Sequence, residues 1–212
     1  MCGRFELKTK FNNLPKILKL DCPAGLESNY EMQNMIRPSN PVLVLKNEGK
    51  IKSTFMFWGF ISPWNKDPFK NTKPRPFNAR SETVQVNKLF KGSWNHRRCL
   101  IPASGFFEKG FRIRKKNYQT FWLGGIWSKW ISSEGSELES CCILTTKPNS
   151  LIKPIHNRMP VIIPDGIEEQ WTENVKDSDQ LKSLNPIMMG WSPNEWVVEE
   201  TNKSSIKQMS LF

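Results

Sequence analysis

The chain has 212 residues, 38% of them hydrophobic, and it carries a formal net charge of +11. With 13 Phe and 9 Trp, it has enough apolar material for a single core in one compact domain. The charge favours a polyanionic partner, nucleic acid first and an anionic membrane surface second, although a merely soluble basic protein has the same composition.

Membrane-spanning, secreted and metal-binding classes are not indicated by the sequence. No run approaches the ~18 apolar residues that a membrane span needs, and Glu6, Lys8 and Lys10 interrupt any secretory signal. The five cysteines are odd in number and lack CxxC spacing, so neither a disulfide framework nor a zinc site is expected. We therefore expect a cytoplasmic monomer with no cofactor, no metal and no membrane partner.

The first candidate for chemistry is Cys2, which directly follows Met1 in the run MCGRF. If Met1 is removed, Cys2 carries an α-amine with a reference pKa of about 7.7–8.0 beside a thiol with a reference pKa of about 8.5. Such an aminothiol condenses with an aldehyde through its nitrogen and closes a thiazolidine ring through its sulfur. A cysteine at position 2 also arises by chance, so this pentapeptide alone leaves both interpretations open.

In the first half of the chain, the predicted elements are a helix, a hairpin and a loop. Apolar residues at helical spacing predict a short helix over 10–20, with Pro15 near its start. Residues 41–47 and 51–60 are typical of strands, and the Glu48-Gly49 pair between them indicates a hairpin. Four prolines and several lysines over 61–77 predict an ordered, basic surface loop.

The second half adds most of the predicted strands. We expect a strand through 97–108, a basic tip over 109–117, further strands near 119–127, 139–146 and 158–163, and helices over 147–153 and 166–173. Many short strands with few helices predict an α+β fold, a compact single domain around a curved, barrel-like β core. The predicted domain covers residues 2–200, and 201–212 form a polar C-terminal tail.

Two residues stand out as candidates for proton transfer. Glu108 ends the run GFFE, and a carboxylate desolvated by aromatic neighbours has a raised pKa suited to acid–base work. A strand-end glutamate paired with an arginine is the structural alternative. The chain has two histidines; His96 lies in a polar stretch, which leaves His156 as the better candidate, although a lone histidine is more often structural.

Asn78, Arg80 and Glu82 alternate in the run FNARSE, so an extended segment would present all three on one face. An asparagine beside an arginine suits contact with phosphate or sugar. A polar edge strand has the same pattern.

Five segments in register resemble one known family. They are MCGRF at the start, FWGFISPW at 57–64, FNARSET at 77–83, CLIPASGFFE at 99–108 and IHNRMPVI at 155–162. Together they resemble the SOS-response-associated peptidase family, also called the abasic-site processing proteins, over residues 2 to about 200. The resemblance implies a barrel-like β core with a positively charged DNA groove.

The resemblance also implies a role for each matching residue. Cys2 would capture the ring-opened aldehyde of an abasic site in single-stranded DNA, Asn78 would orient the sugar remnant, Glu108 would transfer protons at the imine, and His156 would assist ring opening. The residues implied to contact DNA are Arg4, Pro38, Trp64, Arg80, Thr145 and Arg158. The partner would be single-stranded DNA containing abasic sites, and the protein would associate with the nucleoid when bound to it.

Two departures from the family pattern concern neighbouring positions. The family usually continues Phe-Glu with Trp, whereas Lys109 follows Glu108 here. The Asn-x-x-Pro pattern is one residue longer over Asn34–Pro38, which leaves the role of Asn34 undetermined while Pro38 still fits.

Two further functions remain open from the sequence. One is an autoprocessing cysteine peptidase that cleaves its own Met1–Cys2 bond, with Glu108 and His156 assisting. The other is a non-catalytic single-strand nucleic-acid binder built on basic and aromatic residues, in which Cys2 is dispensable.

Overall fold

The computed structural model describes residues 2–70, 74–175 and 177–201. Within them the strands are β1 Phe5–Leu7, β2 Gln33–Ile36, β3 Pro41–Asn47, β4 Ile51–Trp58, β5 Asn78–Arg80, β6 Arg98–Ala103, β7 Gly105–Glu108, β8 Phe111–Lys115, β9 Phe121–Ile131, β10 Glu137–Thr146, β11 Met159–Pro160, β12 Ile162–Ile163 and β13 Trp196–Glu200. The α-helices are α1 Leu26–Asn29, α2 Lys91–His96, α3 Glu168–Thr172, α4 Ser178–Ser183 and α5 Asn185–Met188. Short 3-10 turns cover Phe11–Asn13, Lys16–Lys19 and Pro193–Glu195.

Five strands close into a β barrel, in the ring order β10, β4, β3, β6, β9 and back to β10. Neighbours in the ring are antiparallel except β4 and β10, which run parallel. Gly125 lies where β9 pairs with both β6 and β10, and a Cβ there would lie 3.0 Å from the Cys99 sulfur and 3.0 Å from the Cys142 carbonyl oxygen. A glycine is therefore needed for the strands to approach closely at this point of the barrel.

A second sheet, with strand order β13-β8-β7-β1-β2, packs beside the barrel and contains the first strand of the chain, β1. β1 pairs antiparallel with β7, with Phe5 opposite Phe106. Continuing this register brings the residues before β1 toward the end of β7. Phe106 contributes to an aromatic cluster with Phe121, Trp191 and Trp196, whose ring centroids lie 4.3–6.5 Å apart in the contacting pairs.

The predicted α+β class and barrel-like core are confirmed. So are the hairpin of β3 and β4, the later strands at shifted bounds, and a helix within 166–173. The described part of 61–77 is a loop with no helix or strand. Met1 and residues 202–212 lie outside the described residues, as do 71–73 of the predicted basic loop. No described helix has the length and apolar character that crossing a membrane requires.

Several predicted elements were wrong in kind or extent. The predicted helix over 10–20 is two 3-10 turns, because Leu14 is extended (ψ 151°) before Pro15, as residues preceding proline usually are. Residues 147–153 form turns, where the Asn149 side chain accepts from the backbone N–H of Ile152. The predicted strand over 97–108 divides at Ser104 between the two sheets, and the predicted basic tip contains β8.

Candidate active site at the N-terminus

Cys2 lies immediately before β1 and is only 1% exposed to solvent. The side-chain amide of Asn78 donates to the Cys2 carbonyl oxygen at 3.0 Å. Asn78 begins β5, which pairs in parallel with β10 through Ile143. The barrel wall therefore positions Asn78, and Asn78 anchors the backbone of Cys2.

The thiol of Cys2 is held in its neutral form. Burial is the main cause, and the carboxylate of Glu108 adds to it; together they raise the thiol pKa to about 12. The reference value of about 8.5 therefore does not describe this buried thiol. Any reaction at this sulfur needs a base to remove its proton.

Glu108 and His156 lie side by side. Glu108 ends β7, His156 lies in the turn before β11, and the His156 Nε2 atom is 4.0 Å from a Glu108 carboxylate oxygen. Both side chains are largely buried. The backbone N–H of Arg158 donates to His156 Nδ1 at 3.0 Å, which makes Nδ1 an acceptor. The Arg158 carbonyl oxygen also lies 3.3 Å from Nδ1, but the shorter bond comes from a backbone N–H, which can only donate, so the neutral ring carries its proton on Nε2, the nitrogen that faces Glu108.

Arg158 is fixed by two groups. Its guanidinium makes two hydrogen bonds with the Glu82 carboxylate, at 2.5 and 2.8 Å, and donates to the Thr145 hydroxyl at 3.3 Å. Since the backbone of the same residue holds the imidazole of His156, these contacts also brace the histidine. Glu82 is thus a positioning residue for this side of the site.

The residues predicted to contact DNA divide by accessibility. Arg80 is exposed at the end of β5, Arg4 and Pro38 are half-buried, and Trp64 is 64% exposed. Thr145 is 1% exposed, so its hydroxyl meets Arg158 and the Ala79 carbonyl rather than the surface. Any contribution of Thr145 to DNA contact then passes through Arg158.

Trp64 is presented by a braced loop. The indole N–H of Trp130 donates to the Asn65 carbonyl oxygen at 2.6 Å, and the ring of Phe69 packs edge-on against Trp130. The Asp67 side chain accepts from the backbone N–H of Phe69 at 2.9 Å, which fixes the next turn. This loop holds a large aromatic ring in solvent without burying it.

The structure brings Cys2, Asn78, Glu108 and His156 together, whereas Asn34 lies exposed on the edge strand β2. The sequence analysis did not predict that Glu82 pairs with Arg158 and so positions this side of the site. The predicted extended face ends at Arg80, and Glu82 follows in a turn. The alternation in FNARSE was the available signal, but its partner Arg158 is 76 residues away. Among the described residues no three His, Cys, Asp or Glu side chains cluster as a metal ion would require.

Comparison with known proteins gives a consistent result. The sequence profile of the SOS response associated peptidase (SRAP) family matches residues 1–202. Abasic site processing protein YoqW of Bacillus subtilis (strain 168) is 35% identical over 197 residues, covering 87% of this chain and 86% of the relative. YoaM of the same organism, with the same descriptive name, is 34% identical, covering 87% and 85%. A solved structure from Bacteroides thetaiotaomicron has a TM-score of 0.82 at 20% identity, over 97% of this chain and 94% of that one.

Proposed function

Since the chain belongs to the SOS response associated peptidase family, we propose that it recognises abasic sites in single-stranded DNA and bonds to them covalently through Cys2. Its relatives YoqW and YoaM are named abasic site processing proteins. The observation that carries the proposal is the position of Cys2, anchored by Asn78 beside Glu108 and His156. The product would be a thiazolidine crosslink that shields the lesion from strand cleavage.

The proposed reaction starts with loss of Met1, which lies outside the described residues, and the freed amine of Cys2 then adds to the aldehyde carbon. Loss of water leaves an imine. The sulfur adds to the imine carbon, the thiol proton passes through a base to the nitrogen, and the ring closes. Holding the aminothiol and the aldehyde in one site makes these steps effectively unimolecular.

Glu108 and His156 divide the proton transfers in this proposal. Glu108 takes the proton from the Cys2 thiol, whose raised pKa makes such a base necessary. His156 carries its proton on Nε2, and this N–H hydrogen-bonds to the ring oxygen of the closed hemiacetal; as the sugar opens, the proton of the anomeric hydroxyl passes through water to that oxygen. Asn78 holds the Cys2 backbone so that the nucleophile meets the aldehyde in one orientation.

The DNA strand is proposed to follow the cations around this site. Arg4 and Arg80 contact phosphates beside the lesion, and Trp64 stacks on a neighbouring base, a contact worth about 1–3 kcal/mol for an aromatic ring. Pro38 shapes the wall, and Thr145 acts through Arg158. We propose that the domain covers residues 2–200 and works as a cytoplasmic monomer that joins the nucleoid when bound to DNA.

A peptidase role is the second candidate, and the family description favours it. Cleavage of the Met1–Cys2 bond by the same groups would free the amine that the crosslink needs. The two functions are therefore compatible, and self-cleavage would precede capture.

The test is incubation with a synthetic single-stranded oligonucleotide that holds one abasic site, followed by denaturing electrophoresis and intact-mass analysis. We expect a denaturation-resistant adduct from protein that lacks Met1. Cys2→Ser keeps the amine and loses the sulfur, so it should give only a reversible imine that borohydride traps. A stable adduct from Cys2→Ser, or from protein that retains Met1, contradicts the thiazolidine chemistry.

A second arm separates the two proton-transfer groups. Glu108→Gln and His156→Ala should each slow the adduct by about 100- to 10,000-fold while leaving DNA binding intact. A substrate with a permanently open aldehyde bypasses ring opening, so it should restore His156→Ala and leave Glu108→Gln slow. Equal recovery of both variants contradicts the separate roles proposed for Glu108 at the thiol and His156 at the sugar oxygen.

A further inference from the structure

A cavity of about 350 Å³ lies beside the candidate site, between the turn that follows β5 and helix α5. Its volume falls within the range of about 300–1,000 Å³ that small-molecule sites occupy. Glu82 lines this cavity and also pairs with Arg158, whose backbone N–H bonds the imidazole of His156, so the cavity adjoins the His156 side of the candidate site. None of the roles proposed above uses it.

Two apolar side chains line the cavity and remain in solvent. Val86 is 76% exposed and Met189 is 80% exposed, and they come from two separate segments. Exposed apolar groups in a concave site favour a flat apolar ligand. Methionine suits this task because its flexible, polarisable thioether adapts to the face of a ring.

Two amide side chains supply a hydrogen-bonding edge. The Gln85 Nε2 group donates to Asn185 Oδ1 at 2.7 Å. Gln85 keeps its carbonyl oxygen and Asn185 keeps its NH2 group, and neither bonds elsewhere in the described part of the chain. The pair therefore offers a carbonyl oxygen as an acceptor beside the remaining amide N–H donors, and swapping oxygen and nitrogen in both amides still leaves an acceptor beside donors. Nucleobases present neighbouring donors and acceptors on their edges.

The charge beside the cavity fits a nucleic-acid strand. Lys147 follows the end of β10 and lines the cavity. The hydrogen bond from Arg158 is the main cause that lowers the pKa of Glu82, and the charge of Lys147 adds a smaller effect. A phosphate of the strand would meet Lys147 while its base enters between Val86 and Met189.

We infer that this cavity binds the nucleobase next to the abasic site, with the Gln85–Asn185 pair on its edge and Met189 against its ring. The inference rests on the proposed function, because it assumes that the DNA strand passes Cys2. Since each base can present a donor and an acceptor, the cavity accepts a base of any sequence. The cavity thereby binds the nucleotide beside the lesion, which itself has no base to bind.

The test measures affinity without covalent chemistry. Single-stranded oligonucleotides carry a tetrahydrofuran abasic analogue, and the nucleotide on either side holds thymine, the apolar isostere difluorotoluene or no base. At one of the two neighbouring positions, replacing thymine by difluorotoluene should lower the affinity of the wild-type protein about fivefold or more, as measured by fluorescence anisotropy. It should fall further when no base is present.

The variants localise the effect. The Gln85→Leu/Asn185→Leu double variant should bind thymine and difluorotoluene equally, whereas Gln119→Leu, a distant surface amide, keeps the difference. Met189→Ser should weaken binding when a base is present and change nothing when it is absent, and Met32→Ser is its control. Affinity independent of the base on both sides, or a preference that survives the double variant, overturns the inference. Failure of Cys2 to form an adduct would instead contradict the proposed function. The binding assay does not depend on that adduct, so it would still test whether the cavity binds a base.

Discussion

The thiol is the less reactive half of the proposed Cys2 nucleophile, because burial and the Glu108 carboxylate raise its pKa to about 12. This order of reactivity suits an aldehyde trap. The amine attacks first. The sulfur reacts only after the imine has formed next to it and a base has removed the thiol proton. An exposed, ionised thiol at the same place would be open to oxidation and alkylation between encounters with DNA.

Glu108 therefore has opposite effects on two reactions of Cys2. At about pH 8, a thiol whose pKa is raised to about 12 is almost entirely protonated, so iodoacetamide should alkylate Cys2 far more slowly than an ordinary cysteine. Its alkylation rate should rise about tenfold per pH unit while the fold persists. Glu108→Gln removes a charge that raises the thiol pKa, so alkylation should become faster while adduct formation becomes slower.

Peptide mapping by mass spectrometry measures the alkylation of Cys2, with the half-buried Cys22 as an internal reference. If Glu108→Gln speeds both reactions, Glu108 acts only through its charge and another group removes the thiol proton.

At the scale of elements, the sequence predicted the strands that carry the site better than the point where they change sheets. Residues 99–107 form a mostly apolar run whose local pattern continues past Ser104. The division is decided from a distance: the Ser104 N–H donates to the Glu6 carbonyl oxygen, and the Ser104 hydroxyl accepts from the Lys8 N–H. Partners about a hundred residues away leave no trace in local periodicity.

The same limit applies to the site residues. Cys2, Asn78, Glu108 and His156 were predicted from chemistry and motif order, and the structure brings them together. The burial of Thr145 was not predicted, because a threonine near a strand end is equally compatible with either face. Burial depends on what packs over the strand, which here includes Arg158.

β7 carries Glu108 and begins at a glycine that has no room for a side chain. A Cβ on Gly105 would lie 2.7 Å from a carboxylate oxygen of Glu6, a fully buried group that pairs with Arg112. Gly105→Ala should therefore lower the free energy of unfolding by about 1–3 kcal/mol, since the Glu6–Arg112 pair must shift.

Gly92→Ala is the matched control for this substitution. Gly92 lies in helix α2 with open space around it, so alanine there should stabilise the protein by up to about 1 kcal/mol. Urea denaturation measures both variants. A neutral or stabilising Gly105→Ala would mean that β7 yields easily and that its register does not depend on this close approach.

Across the whole molecule, many cations of this basic chain are neutralised internally. Lys46 is buried between Glu48 and Glu139, and Arg112 and Arg114 share Glu199. Within the described residues, Arg4 and Arg80 have no ion-pair partner, and both lie close to the candidate site in the chain and in the fold. Arg4 and Arg80 are therefore among the cations that remain available for a polyanion, and they lie where the DNA is proposed to run.

This distribution predicts which arginines set the salt dependence of DNA binding. Each phosphate neutralised on a single strand contributes a slope of roughly −0.7 to log affinity against log salt. The double variant Arg4→Ala/Arg80→Ala should therefore weaken binding to intact and abasic single strands alike and flatten the slope by about 1.4.

The charge-matched control is Lys50→Ala/Lys182→Ala, which removes two exposed lysines already paired with Asp21 and Asp179. Anisotropy titrations at several salt concentrations give both slopes. If the two double variants flatten the slope equally, net charge rather than a defined path attracts the DNA, and the contacts assigned to Arg4 and Arg80 are wrong.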